Sequence, residues 1–95
     1  MKIEAQSINN ISKAILGEKS TYIWLFTESV LDNLDRQKDK ENFGVIWRNA
    51  ISFDNWNFSD LNDGHHKTVE ILKKIYNLEN EVALKIANAA AYQWK

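Results

Sequence analysis

The chain contains no cysteine and no proline, and only three glycines, at positions 17, 44 and 64. Without cysteine there can be no disulfide, thiolate metal ligand or thiol nucleophile. The lack of proline removes the residue that most effectively breaks a helix from inside. Glycines so scattered cannot build the phosphate loop GxxxxGK(S/T) or the dinucleotide turn GxGxxG, and neither motif is present. Long apolar runs are also missing: no stretch approaches the roughly 20 residues of a membrane span, and the first residues lack the apolar segment of a signal peptide. We therefore expect a cytoplasmic protein with no membrane contact. Twelve basic and thirteen acidic side chains leave a formal charge of −1, which gives no general attraction for phosphate backbones and argues against nucleic acid as a partner.

What is present suits one globular unit. Ninety-five residues, 44% of them hydrophobic, are enough for a core that needs no metal or disulfide, so residues 1–95 are expected to form a single domain. Four tryptophans are a heavy aromatic load for this length, and each must be buried or used at an interface.

The periodicity is helical. Ile8, Ile11 and Ile15 recur at three and four residues, which predicts a first helix over about 2–16, with Gly17 at its left-handed terminus. Ser20 can cap a second helix whose apolar face carries Tyr22, Ile23, Phe26, Val30, Leu31 and Leu34. The charged run 35–41, DRQKDKE, reads as a solvated helix end and a connection. A third helix, capped by Asn42, would bury Phe43, Ile46, Trp47, Ala50 and Ile51; a strand over 43–53 is its competitor, since Val45, Trp47 and Ile51 also suit a sheet. A fourth helix, capped by Asn62 or Asp63, carries Val69, Leu72 and Tyr76 and can close at a left-handed Asn77. The alanine-rich fifth helix holds Val82, Ala83, Ile86, Ala87, Ala90 and Trp94 on one broad side and is expected to be the most buried. The predicted fold is thus an all-α, compact bundle of about five helices, with an aromatic and acidic loop between the third and fourth.

That loop, residues 53–64 (FDNWNFSDLNDG), is the strongest candidate site. Between Arg48 and Lys67 the only formal charges are Asp54, Asp60 and Asp63, and they share this stretch with Phe53, Trp56 and Phe58. Exposed aromatics anchor partners, and surrounding carboxylates attract a basic surface, so these six residues form the candidate protein-binding patch. The competing reading folds the rings back as a lid on the core. Trp24, off the main stripe of the second helix, is a secondary interface candidate, whereas Tyr92 and Trp94 are read as core.

Organised chemistry is sparse. His65 and His66 are the only histidines, and adjacent helical residues project about 100° apart, so they cannot chelate one metal from the same face. Their adjacency also suits poorly an acid and a base on opposite sides of a substrate. The pairs Asp60 with Asp63 and Asp32 with Asp35 are equally well explained as helix-start charges and a solvated face. No catalytic residue, cofactor or metal site is assigned.

The helical pattern along the whole chain, the acidic aromatic segment FDNWNFSDLNDG and the closing run IANAAAYQWK resemble small bacterial immunity proteins that neutralise a nuclease toxin, including those of contact-dependent growth inhibition systems. The resemblance implies a non-catalytic, cytoplasmic inhibitor that binds a toxin domain with a basic surface in a tight complex. Two alternatives are a helical nucleic-acid-binding or regulatory module, for which Lys67, Lys73, Lys74 and Lys85 form the only possible basic patch, and a non-catalytic subunit of a larger assembly.

Overall fold

The computed structural model describes residues 3–18, 22–57 and 60–94. Among these the regular structure is helical: α1 (Ala5–Leu16), a 3-10 turn (Ile23–Leu25) leading into α2 (Phe26–Asp32), α3 (Gln37–Ala50), the single turn α4 (Phe53–Trp56), α5 (Leu61–Tyr76) and α6 (Asn80–Gln93). The five longer helices make the all-α bundle indicated by the periodicity. The competing strand over 43–53 is replaced by helix as far as Ala50 and then by α4.

α6 is the centre of the bundle, as its composition indicates. It packs on α1, α3, α5 and the 3-10 turn, burying Val82, Ala83, Ile86, Ala87, Ala89 and Ala90. Short alanine side chains let the neighbouring helices approach closely. Asn77 closes α5 in the left-handed region (φ 56, ψ 36), which asparagine tolerates better than most residues, and the chain then reverses into α6. Ile11 and Ile15 from α1, Val30 from α2, Phe43 and Ile46 from α3 and Leu72 from α5 complete the fully buried core around it.

Several boundaries differ from the sequence reading. Gly17 is right-handed (φ −87), so α1 ends without a left-handed glycine. Ser20 lies outside the described residues. Tyr22 and Ile23 precede the helical stripe and are exposed, because α2 proper starts only at Phe26. α3 begins at Gln37 with Arg36 at the N-cap position, six residues ahead of the expected cap Asn42, and absorbs most of the run read as a connection. α5 is capped by Asp60, whose Oδ1 accepts the backbone N–H of Asn62 at 2.8 Å, in place of Asn62 or Asp63.

One buried side-chain polar atom has no partner among the described residues: the Thr68 hydroxyl, on a residue with no exposed surface in α5. An unpaired buried hydroxyl loses its hydration without compensation. Thr68→Val keeps the shape and removes the polar atom, so it is expected to stabilise the fold by about 1 kcal/mol. A raised thermal midpoint checks this; a lowered one would show that the hydroxyl is satisfied.

Candidate functional site

The 53–64 segment divides between core and surface. Ser52 turns the chain after α3, and α4 lays Trp56 back over the bundle, leaving it 5% exposed. The Trp56 indole N–H donates to the Ala50 carbonyl at 2.7 Å, and the Asn55 amide donates to the Asn49 carbonyl at 2.6 Å, so both buried polar groups are satisfied by the end of α3. The ring lies against Gly64, where a Cβ would come within 2.5 Å of Trp56 Cε3. Only glycine lets α5 pass this close. Trp56 is therefore a lid on the core with no face left for a partner, which corrects its place in the candidate patch.

The other members of the patch fare differently. Phe53 is 58% exposed, its ring 6.0 Å from that of Trp94. Asp54, Asp60 and Asp63 are exposed, but Asp60 is engaged as the α5 cap. Phe58 lies outside the described residues. The segment is also less purely acidic in space than in sequence, because Lys67 reaches back from α5 to donate to the Asp54 carbonyl at 2.9 Å. Phe53, Asp54 and Asp63 remain from the six as described surface groups without a capping or core role.

A larger aromatic surface surrounds the end of α6. Tyr22 and Trp24, just before and within the 3-10 turn, stack at 4.7 Å, and Trp24 lies 6.1 Å from Tyr92. Trp94 packs with Phe53 and donates its indole N–H to the Ile51 carbonyl at 2.8 Å. The exposures are 51% for Tyr22, 56% for Trp24, 37% for Tyr92 and 39% for Trp94. Tyr92 and Trp94, read from periodicity as core, are thus partly outside it. His65 Nε2 and Asn88 Oδ1 lie 2.8 Å apart in a hydrogen bond between α5 and α6. Two aromatic groups flank the last turn of α6, and Tyr22 belongs to one of them. A signal was available: Trp24 sits beside Ile23, off the stripe of the second helix.

The run 35–41 holds the clearest polar cluster. Asp39, whose side chain is 2% exposed, receives four donors: Ser7 Oγ (2.6 Å) and Arg36 Nη2 (2.9 Å) at Oδ1, and Asn10 Nδ2 (2.9 Å) and Arg36 Nε (3.1 Å) at Oδ2. Arg36 continues to Glu4 at 2.7 Å, and Lys38 joins Glu4 at 3.2 Å. This network draws the start of α3 onto α1, which is why the helix begins early and why the solvated reading of the run fails at Asp39. Burial pushes the Asp39 carboxyl up, but hydrogen bonds from Arg36, Ser7 and Asn10 and the Arg36 charge outweigh it and bring the group from 3.8 to about 2. A depressed carboxyl stabilises the fold above its ordinary value and loses that contribution as pH falls through the folded one. Stability is thus expected to drop between about pH 4 and pH 2, and the decline over this interval should be shallower in Asp39→Asn. Acid titration followed by circular dichroism checks it; identical acid profiles would contradict it.

With both oxygens of Asp39 doubly bonded, the carboxylate has little capacity left for a substrate, although it borders a hollow of about 400 Å³ shared with Asn10, Lys13 and Arg36. Among the described residues no group of three or more histidine, cysteine, aspartate or glutamate side chains is placed to hold a metal ion. No helix among them is long and apolar enough to cross a membrane. Compared with family models, curated proteins and solved structures, the chain matches none.

Proposed function

We propose that this chain is a non-catalytic protein-binding domain, and specifically an inhibitor of the immunity type that occludes a basic toxin domain, such as a nuclease, in a tight one-to-one complex. The observation that carries the reading is the gathering of Tyr22, Trp24, Phe53, Tyr92 and Trp94, each more than a third exposed, around the end of α6. Large rings held by a rigid bundle enter a partner's pocket with little loss of side-chain freedom, and they are the residue types that dominate interface energies. Exposed Asp54, next to Phe53, and exposed Asp63, in the first turn of α5, supply charge complementary to a basic surface.

The test uses Trp24→Ser with Phe53→Ser, since neither side chain belongs to the buried core. The intact chain, expressed with a toxin encoded beside it, is expected to protect the cell and to co-purify in equal amounts with that toxin. The double variant should keep its thermal midpoint and lose at least roughly thirtyfold in affinity. Unchanged affinity in the folded variant would contradict the assignment of this surface. Retention of nucleic acid at moderate salt, with no protein bound, would favour the nucleic-acid module.

A further inference from the structure

We infer that the outer ridge running from Trp24 along α2 is a docking surface for a basic segment of a protein partner, carrying arginine or lysine side chains one helical turn apart. The inference rests on the protein-binding reading above; it extends that surface from Trp24 onto the acidic side of α2 and adds the spacing of the partner's cations. Between Lys19 and Arg36 the only formal charges are Glu28, Asp32 and Asp35. The backbone is helical from Ile23 to Asp32, so Trp24, Glu28 and Asp32 follow each other at four-residue intervals, and all three are exposed. Beside the two acids lies an open hollow of about 410 Å³, lined by Leu25, Glu28, Ser29, Asp32 and Asn33, with no cation on its wall.

Glu28 suits the first turn of α2, but Asp32 works against the helix that bears it. Like charges at a four-residue spacing repel, and an acid in the last turn opposes the helix dipole. Asp32 is the last residue of α2, and no basic residue occupies that turn. Among the described residues neither Glu28 nor Asp32 has an ion-pair partner, in contrast to Glu4 and Asp39. A partner's cations would relieve both conflicts. The Trp24 ring, held by its stack on Tyr22, offers a face for a guanidinium or ammonium group, with the Glu28 carboxylate one turn away to pair with it. The separation of Glu28 from Asp32, about 6 Å between Cβ atoms, matches the separation of two basic residues one turn apart on a partner helix. The neighbouring hollow lined by Tyr22 and Ile23 carries Lys85 as well as Glu18, whereas the hollow beside α2 carries no cation.

The experiment titrates the protein with an alanine-based helical peptide carrying arginine at every fourth position, and with its glutamine counterpart, at low ionic strength. Binding is followed residue by residue in proton–nitrogen correlation spectra. The arginine peptide is expected to shift the Trp24 indole N–H and the amides of residues 28–32, and the shifts should fade with added salt. Glu28→Gln with Asp32→Asn should weaken this binding about tenfold while leaving or raising the thermal midpoint, because it removes a repulsion. Equal binding of the glutamine peptide, equal binding by the double variant, or shifts confined to residues 53–63 would overturn the inference. With the toxin partner the outcomes separate. If Trp24→Ser with Phe53→Ser loses the partner and the α2 acid variant keeps full affinity, the docking inference falls and protein binding through the aromatic end stands. If neither variant loses affinity, both fall.

Discussion

Trp56→Ala is expected to cost about 3–5 kcal/mol, the range for deleting a large buried aromatic side chain, and so to leave a domain that is largely unfolded or on the edge of unfolding. The indole is 5% exposed and its N–H satisfies the Ala50 carbonyl, so the substitution opens a cavity and orphans an acceptor at the end of α3. The same contact can be disturbed from the other side. In Gly64→Ala the added methyl would meet Trp56 Cε3 at 2.5 Å and the Asn55 carbonyl at 3.1 Å, a rigid ring and backbone rather than a flexible side-chain end. Overpacking of this kind costs about 1–3 kcal/mol. Chemical denaturation of both variants measures the effects. A Trp56→Ala protein as stable as the parent would show that the ring is dispensable to the core and restore it as a candidate contact.

Asp39→Ala is the second large loss, expected at about 2–3 kcal/mol. It strips Ser7, Asn10 and Arg36 of a shared acceptor and unties the start of α3 from α1. The figure stays below that for a fully buried ion pair because the Arg36 side chain is 45% exposed and can be rehydrated. Urea unfolding at neutral pH checks it, and an unchanged midpoint would reduce the cluster to a surface feature. The difference between parent and variant should also shrink as pH falls toward about 2, where Asp39 begins to be protonated in the folded state.

The charged run DRQKDKE shows why part of the fold was hidden. By composition it is solvent-facing, and Gln37, Lys38 and Glu41 are exposed as expected. Asp39 is the exception because its partner Ser7 lies 32 residues away, and no local pattern announces a contact at that range. The helices that depend on their own stripes, α1, α5 and α6, were legible, as were the left-handed Asn77 and the central position of α6. Within residues 53–64 the sequence left open whether the rings form a contact surface or a lid, and the structure separates them: Trp56 is buried and Phe53 is exposed. Trp24 and Trp56 each stand beside aromatic and polar neighbours, and tertiary placement alone separates them: Gly64 opens a seat for Trp56, while Trp24 rests on Tyr22 outside the bundle. Tyr22 was assigned to the core by extending a helical period past the point where α2 begins. Tyr92 and Trp94 fall where α6 runs out of neighbours, so periodicity that is sound for Ala83 to Ala90 overstates their burial.

The division of the aromatic residues into core and proposed contact surface can be read in one measurement, hydroxyl-radical footprinting of the side chains in the free protein and in a complex with the proposed toxin partner. In the free protein Trp24 and Phe53 should be oxidised readily while Trp56 and Phe43 are protected, following their exposures of 56%, 58%, 5% and 1%. In the complex Trp24 and Phe53 should become protected and Trp56 should not change. Rapid oxidation of Trp56 in the free protein, or undiminished oxidation of Trp24 and Phe53 in the complex, would contradict the account.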